Sequence, residues 1–166
     1  MKTLYLVRHA KSSWDNTVLD DIDRPLNEKG YSNAHFMGHL LSKEKVCPDM
    51  ILTSPAIRAA TTSLIFSRHL NYAPSGIKIA ATIYESDIYD HIKMIAQHEN
   101  KINTIMLFGH NPTITDLANF FIDDRIENIP TCGFAGISFA IKRWEELKTR
   151  TKGTLVTFDF PKNHQQ

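Results

Sequence analysis

Cysteine is almost absent: Cys47 and Cys132 are the only two in 166 residues, far apart and without CxxC spacing. That excludes a disulfide framework and argues against a zinc or redox centre. Charge of one sign is also lacking. With a net charge of +1, no global field favours nucleic acid or an anionic membrane as partner, so any electrostatic function must be local. No apolar run approaches the ~20 residues of a membrane span, and the first apolar run is cut by Arg8 with no small-residue cleavage pattern, so a cytoplasmic soluble protein is expected. Hydrophobic residues make up 42% and charged residues 22%, enough to bury one core. Residues 1–166 read as a single domain.

What is present is alternation. Residues 3–7 form a near-continuous apolar run of strand length, as in a strand covered on both faces. Asn27 and Glu28 give a start signal for a helix whose apolar positions are Ala34, Met37, Gly38 and Leu41. A short apolar run at 50–52 is followed by Ser54 and Pro55, a cap-like residue and a first-turn proline. The helix after them carries Ile57, Ala60, Thr61, Leu64 and Ile65 on one face. Residues 77–80 read as a short strand, and Ser86 or Asp87 can cap a helix striped by Ile88, Ile92 and Ile95. Another buried strand at 104–108 ends in Gly109, His110, Asn111 and Pro112, again a cap and a first-turn proline, before Ile114, Leu117, Ala118 and Phe121. Two strand-like runs close the chain, 137–141 and 154–160, separated by a turn-rich charged insert at 144–153.

Alternating strands and helices imply an α/β fold, a three-layer αβα sandwich with a mostly parallel central sheet and a C-terminal antiparallel hairpin. Ligands collect at the carboxyl ends of strands in such sheets. Three of the expected strands end in chemically suggestive residues: Arg8 and His9 after the first, Ser54 and then Arg58 after the second, and His110 after the later one. Each alone is commonplace, since a strand-end arginine is usually solvated. If the strands are neighbours, two arginines and two histidines converge beside helix amino termini, and the site prefers a phosphate-sized anion.

Four stretches in order, LVRHAK, DRPLNEKG, LTSPAIRAATT and FGHNP, resemble the histidine phosphatase superfamily, which has the phosphoglycerate mutase-like fold. Short length and the RPLNEKG element look most like the SixA-type phosphohistidine phosphatases. Ala10 departs from the pattern, because most members carry Gly there, and its methyl narrows the room for backbone approach. The resemblance implies a phosphatase without metal or other cofactor, acting on phosphohistidine in a protein. A small phosphate ester as substrate, or a module that binds phosphoproteins without turnover, are the alternatives.

The residue types suit that chemistry. His9 is the expected nucleophile, because a neutral imidazole splits one hard displacement into two through a phosphoenzyme. Its other ring nitrogen should donate to a backbone carbonyl. Arg8, Arg58 and His110 would aim donors at the phosphoryl oxygens, and the guanidinium charge would keep His9 neutral. Glu85 stands where the family's acid is expected, with Asp15 as the other candidate for the leaving-group proton; an acid before a helix is also ordinary. Arg24 and Asn27 match the family's second element as phosphate-binding candidates, although Asn27 also fits a helix cap. Lys11 is expected to face solvent. His35 and His39, one turn apart without an acidic partner, read as surface-helix histidines rather than metal ligands, and Phe36, Phe66, Phe120 and Phe121 as core fillers.

Overall fold

The computed structural model describes residues 1–165. Its strands are β1 (Lys2–Arg8), β2 (Met50–Thr53), β3 (Lys78–Ile79), β4 (Thr104–Gly109), β5 (Phe134–Phe139) and β6 (Thr154–Asp159). The helices are α1 (Glu28–Lys43), α2 (Ile57–His69), α3 (Thr82–Glu85), α4 (Ile88–Ala96) and α5 (Thr113–Phe121), with a short 3-10 turn at Asp21–Asp23. One six-stranded sheet runs in the order β3-β2-β4-β1-β5-β6. The strands β3, β2, β4 and β1 are parallel, and β5 and β6 add antiparallel on the other side. The expected closing pair is therefore present, its first strand starting three residues earlier than the apolar pattern suggested.

Strand alternation sends successive side chains to opposite faces, and each face has its own core. Leu4, Leu6, Ile105 and Leu107 pack against α4 and α5 through Ile92, Ile95, Leu117 and Phe121. Val7, Met106 and Phe108 pack on the other face against Met37 and Leu41 of α1 and Phe66 of α2. The chain is thus a three-layer αβα sandwich. Trp144, within the segment read as a charged turn, is fully buried and donates its indole N–H to the Ile102 carbonyl at 2.7 Å. Phe36 is exposed, against the reading of it as core.

Two helix starts differ from expectation. Helix α2 begins after Ala56, and Ser54 caps nothing at its first turn; its Oγ instead accepts from the Ala56 N–H at 3.1 Å. Helix α5 begins after Pro112, whose preceding peptide bond is cis. The buried face of α2 is also rotated from the apolar stripe: Ile57 is exposed, while Arg58, Ala59, Thr62, Ser63 and Phe66 are buried. Polar residues occupy that face because they are satisfied locally. Thr62 donates to the Arg58 carbonyl at 2.6 Å and Ser63 to that of Ala60 at 2.8 Å.

The loop after β1 is held against α1. Asn27 N–H donates to the Lys11 carbonyl at 3.0 Å, and a Cβ on Gly30 would overlap that same carbonyl oxygen. Backbone cannot retreat as a flexible side chain can. Gly30→Ala is expected to destabilise the fold by roughly 1–3 kcal/mol, measured as a lower urea midpoint, and to lower activity by displacing the loop that follows His9.

Candidate active site

The register of the sheet places the three strand ends side by side. Arg8 of β1 lies opposite Gly109 of β4, and Thr53 of β2 opposite Phe108 of β4. The ladder continues past the strands, with His9 N–H donating to the Gly109 carbonyl at 3.1 Å and Ser54 N–H to the Phe108 carbonyl at 3.0 Å. The Cys132 N–H donates to the carbonyls of both Arg8 and His9, each at 3.1 Å. This holds the backbone of the Arg8–His9 pair from both sides. A cavity of about 400 Å³ opens above these ends, lined by Arg8, His9, Arg24, Arg58, Glu85 and His110, with Asp21, Tyr84 and Asn111 completing it. Six of the eight candidates named from sequence therefore share one cavity. Asn27 does not line it: its Oδ1 accepts from the Gly30 N–H at 2.8 Å and caps α1. Asp15 is exposed and also lies outside the lining.

His9 is 9% exposed. Its Nδ1 sits 2.7 Å from the carbonyl oxygen of Ala10, so the proton belongs on Nδ1 and the lone pair on Nε2. The carbonyl that orients the ring is thus the next residue's own. Burial is the main reason its pKa falls to about 3, and His110, Arg58 and Arg8 lower it further against the opposing Ala10 hydrogen bond. Guanidinium charge, the cause expected from sequence, is a smaller contributor than desolvation. Since the folded pKa lies below the ordinary value near 6.5, the unfolded chain takes up this proton first. The stability this provides is full above about 6.5 and is lost as pH falls toward about 3. By ¹⁵N-edited NMR, His9 should remain neutral and protonated on Nδ1 at pH 5; titration near pH 6.5 would contradict the geometry.

His110 faces it, with ring centroids 5.2 Å apart. Its Nε2 meets Ser54 Oγ at 2.8 Å, and Arg58 Nη2 lies 3.5 Å from its Nδ1. Burial, then Arg58, lowers its pKa to about 4. The Ser54 hydroxyl can donate or accept, but the Arg58 guanidinium can only donate, so this arrangement favours the neutral tautomer with its proton on Nε2. Ser54 was legible as a cap-like residue and as one of the strand-end residues; its place beside His110 comes from the adjacency of β2 and β4.

Asp21 and Tyr84 are the site residues that sequence reasoning missed. Arg58, 5% exposed, donates Nη1 to the Asp21 carbonyl at 2.6 Å and Nη2 to Asp21 Oδ2 at 2.9 Å. Arg24 pairs through Nη2 with Asp21 Oδ1 at 3.0 Å and donates Nη1 to Ser12 Oγ at 2.8 Å. The Tyr84 hydroxyl donates to Asp21 Oδ2 at 2.7 Å. That hydrogen bond, with those from Arg58 and Arg24, holds the Asp21 carboxyl far below the ordinary range. It is a fixed anion that braces two guanidinium groups, not a proton donor. Within DDIDR it looks like one of several solvated acids, and only its position three residues before Arg24 hinted at a pair.

Three cations and two neutral imidazoles around one cavity make a receptor for a tetrahedral oxyanion. Arg8 donates Nη1 to the Ile129 carbonyl at 3.1 Å, while Nε of Arg8 and Nε of Arg58 are buried without a protein acceptor. Buried donors left unpaired are costly, and an anion's oxygens would satisfy them. The Ala10 methyl belongs to the core beneath the site, and its N–H donates to Thr62 Oγ1 at 3.0 Å. It does not line the cavity, in line with the expectation that a small residue in place of glycine leaves the site intact. Among the described residues, no group of three or more His, Cys, Asp or Glu is placed to hold a metal ion. His35 and His39 lie on exposed helix surface, with His35 Nδ1 3.0 Å from His69 Nε2.

Comparison with known proteins agrees with this geometry. The family model of the histidine phosphatase superfamily (branch 1) matches residues 4–88. An uncharacterized chloroplastic protein of Arabidopsis thaliana is 31% identical over 155 residues, covering 87% of this chain and 70% of that one. Among solved structures, a candidate phosphohistidine phosphatase SixA from Agrobacterium tumefaciens superposes with a TM-score of 0.80 at 26% identity, covering 96% of this chain and 98% of that one. The protein histidine phosphatase SixA in complex with tungstate gives a TM-score of 0.82 at 21% identity, over 97% and 98% of the two chains, and shares the fold. No helix among the described residues is long and apolar enough to cross a membrane. With the converged strand ends and the matched family model, the chain belongs to the histidine phosphatase superfamily.

Proposed function

We propose that the protein is a phosphatase that removes phosphate from phosphohistidine in a protein, through a phosphorylated His9. The observation that carries the chemistry is the His9 imidazole, buried, uncharged and held through Nδ1 on the Ala10 carbonyl beside Arg8, Arg58 and His110. In the first step the His9 Nε2 lone pair forms a bond to phosphorus and the substrate N–P bond breaks, its electron pair going to the leaving imidazole nitrogen. That imidazole leaves neutral when its other nitrogen carries a proton, so this substrate class demands little of an enzymic acid. In the second step a water oxygen bonds to phosphorus and the pair returns to His9 Nε2. The water's proton passes to a phosphate oxygen or to solvent, and inorganic phosphate is released.

Arg8 and Arg58 supply fixed donors where charge spreads over the equatorial oxygens. His110 adds a donor once Arg58 Nη2 turns from its Nδ1 to the phosphoryl oxygens, so that the proton sits on Nδ1 and Nε2 accepts from the Ser54 hydroxyl. Arg24, tied to Asp21 and Ser12, borders the same space and binds the phosphoryl group or its surroundings. Glu85 is exposed at the rim, where it would protonate the leaving oxygen of an ester. A protein as substrate is supported by an open cavity flanked by exposed apolar residues. Trp14, 72% exposed, stacks on the Arg24 guanidinium at 3.5 Å, and Val18 and Leu19 are exposed in the same loop.

The test is a turnover comparison between a phosphohistidine-bearing carrier protein and simple phosphate monoesters, with His9→Ala as the blank. The carrier should be the better substrate by kcat/KM, and EDTA should leave the rate unchanged, because the proposed electrophilic groups are guanidiniums and imidazoles. Faster turnover of monoesters would assign the site to small molecules. Binding of the carrier without release of phosphate would assign it to a recognition module.

A further inference from the structure

A second cleft, of about 310 Å³, opens on the other side of Arg8. Arg8 is the wall common to both, since it lines this cleft and the catalytic cavity alike. The partition is rigid: the Arg8 Nη1 and the Asn111 amide both donate to the Ile129 carbonyl, at 3.1 and 3.0 Å, and Asn111 also donates to the Asn128 side chain at 2.8 Å. Beyond it, Lys11, Lys29 and Lys162 line the cleft with Asn33 and Asn128. These lysines come from three separate places, the loop after β1, the first turn of α1 and the C-terminal 3-10 turn at Pro161–His164.

Two features distinguish this surface from an ordinary solvated one. No Asp or Glu lines the cleft among the described residues, and none of the three lysines takes part in an ion pair there, although the chain's net charge is only +1. Asp21 and Glu85 instead line the catalytic cavity. A polar surface divided this way imposes an orientation on a charged partner. A substrate with acidic groups to one side of its phosphoryl group is attracted when they point past Arg8 toward the lysines, and repelled when they point toward Asp21 and Glu85.

We propose that this cleft is a docking subsite for Asp and Glu side chains that flank the phosphorylated histidine of the protein substrate. The assignment rests on the phosphoprotein reading above and adds which partners are chosen and how they are turned. The carboxylates bind in the lysine cleft while the phosphoryl group reaches His9 over Arg8. Because Lys29 and Lys162 are exposed, their attraction acts through solvent and weakens with added salt.

Three substrates read this out on the parent and on Lys29→Glu/Lys162→Glu: a phosphohistidine carrier domain with acidic residues beside the phosphorylated ring, the same domain with those residues changed to Asn and Gln, and p-nitrophenyl phosphate. With the acidic carrier, the double variant should lose about ten-fold in kcat/KM, mostly through KM, and lose much of the parent's salt dependence. The neutralised carrier and p-nitrophenyl phosphate should change by less than about two-fold. Lys29→Gln/Lys162→Gln should fall between parent and reversal, and matching thermal melts would exclude misfolding. Equal losses on all three substrates, or no loss on the acidic carrier, would overturn the docking assignment while leaving the phosphohistidine reading in place. If the parent hydrolyses p-nitrophenyl phosphate but neither carrier, the phosphohistidine reading itself fails and the docking assignment falls with it.

Discussion

His9→Ala is expected to lower turnover of any substrate by about 10⁴-fold or more, the usual scale when the nucleophile of a covalent mechanism is removed. No neighbour can take its place. His110 is the other imidazole in the cavity, but its Nε2 is engaged by Ser54 Oγ at 2.8 Å and its Nδ1 faces Arg58. The variant should still bind inorganic phosphate, because Arg8, Arg58 and Arg24 are untouched, so loss of turnover with binding retained separates a chemical role from a structural one. A variant that keeps more than about one hundredth of parental activity would point to direct attack by water. Removal of a half-polar ring also leaves space above Ala10, and thermal melts should confirm that the fold persists.

Arg58→Ala carries the second largest effect. Arg58 is the guanidinium that touches most of the site: it donates twice to Asp21, lies 3.5 Å from His110 Nδ1 and keeps a buried Nε unpaired by protein. Loss of one donor to a developing oxyanion costs about 10²- to 10³-fold in kcat, and here the change also removes one of the two guanidiniums that neutralise Asp21, leaving its carboxylate with Arg24 and Tyr84 alone beside an anionic substrate. We expect about a 10³-fold fall in kcat/KM, shared between kcat and KM. Arg58→Lys should recover only a small part, since an ammonium cannot make the paired contacts to Asp21 and the phosphoryl group together. Recovery to within about three-fold would mean that only charge matters. The double change Arg58→Ala/Asp21→Asn should be less damaging than Arg58→Ala, because a carboxylate that has lost one of its two guanidinium partners is then gone.

The elements that place the site were legible in the sequence because they obey simple periodicities. Buried parallel strands read as apolar runs, and β1, β2 and β4 each end within two residues of where the runs end. That Arg8, His9, Arg58 and His110 follow those ends was visible too, together with the Asn27 cap. Their convergence was conditional on strand order, which apolar pattern does not encode; it follows from β4 lying between β1 and β2. The buried face of α2 escaped detection for a related reason. Arg58, Thr62 and Ser63 are polar by type and buried by circumstance, satisfied through Asp21 and nearby carbonyls. Asp21 was hidden among four aspartates in nine residues, 15–23, and only its spacing of three from Arg24 marks it as the one that pairs. Trp144 shows the converse, an aromatic among charges whose burial is decided by a distant carbonyl at Ile102.

The most direct measurement is to mix enzyme with a ³²P-labelled phosphodonor, quench in alkali within milliseconds and map the label by peptide mass spectrometry. A phosphoryl group that is stable to base, labile to acid and located on His9, rising and decaying at rates consistent with turnover, is the predicted result. Continuing turnover with no label on His9, or with the label on another residue, would contradict the account.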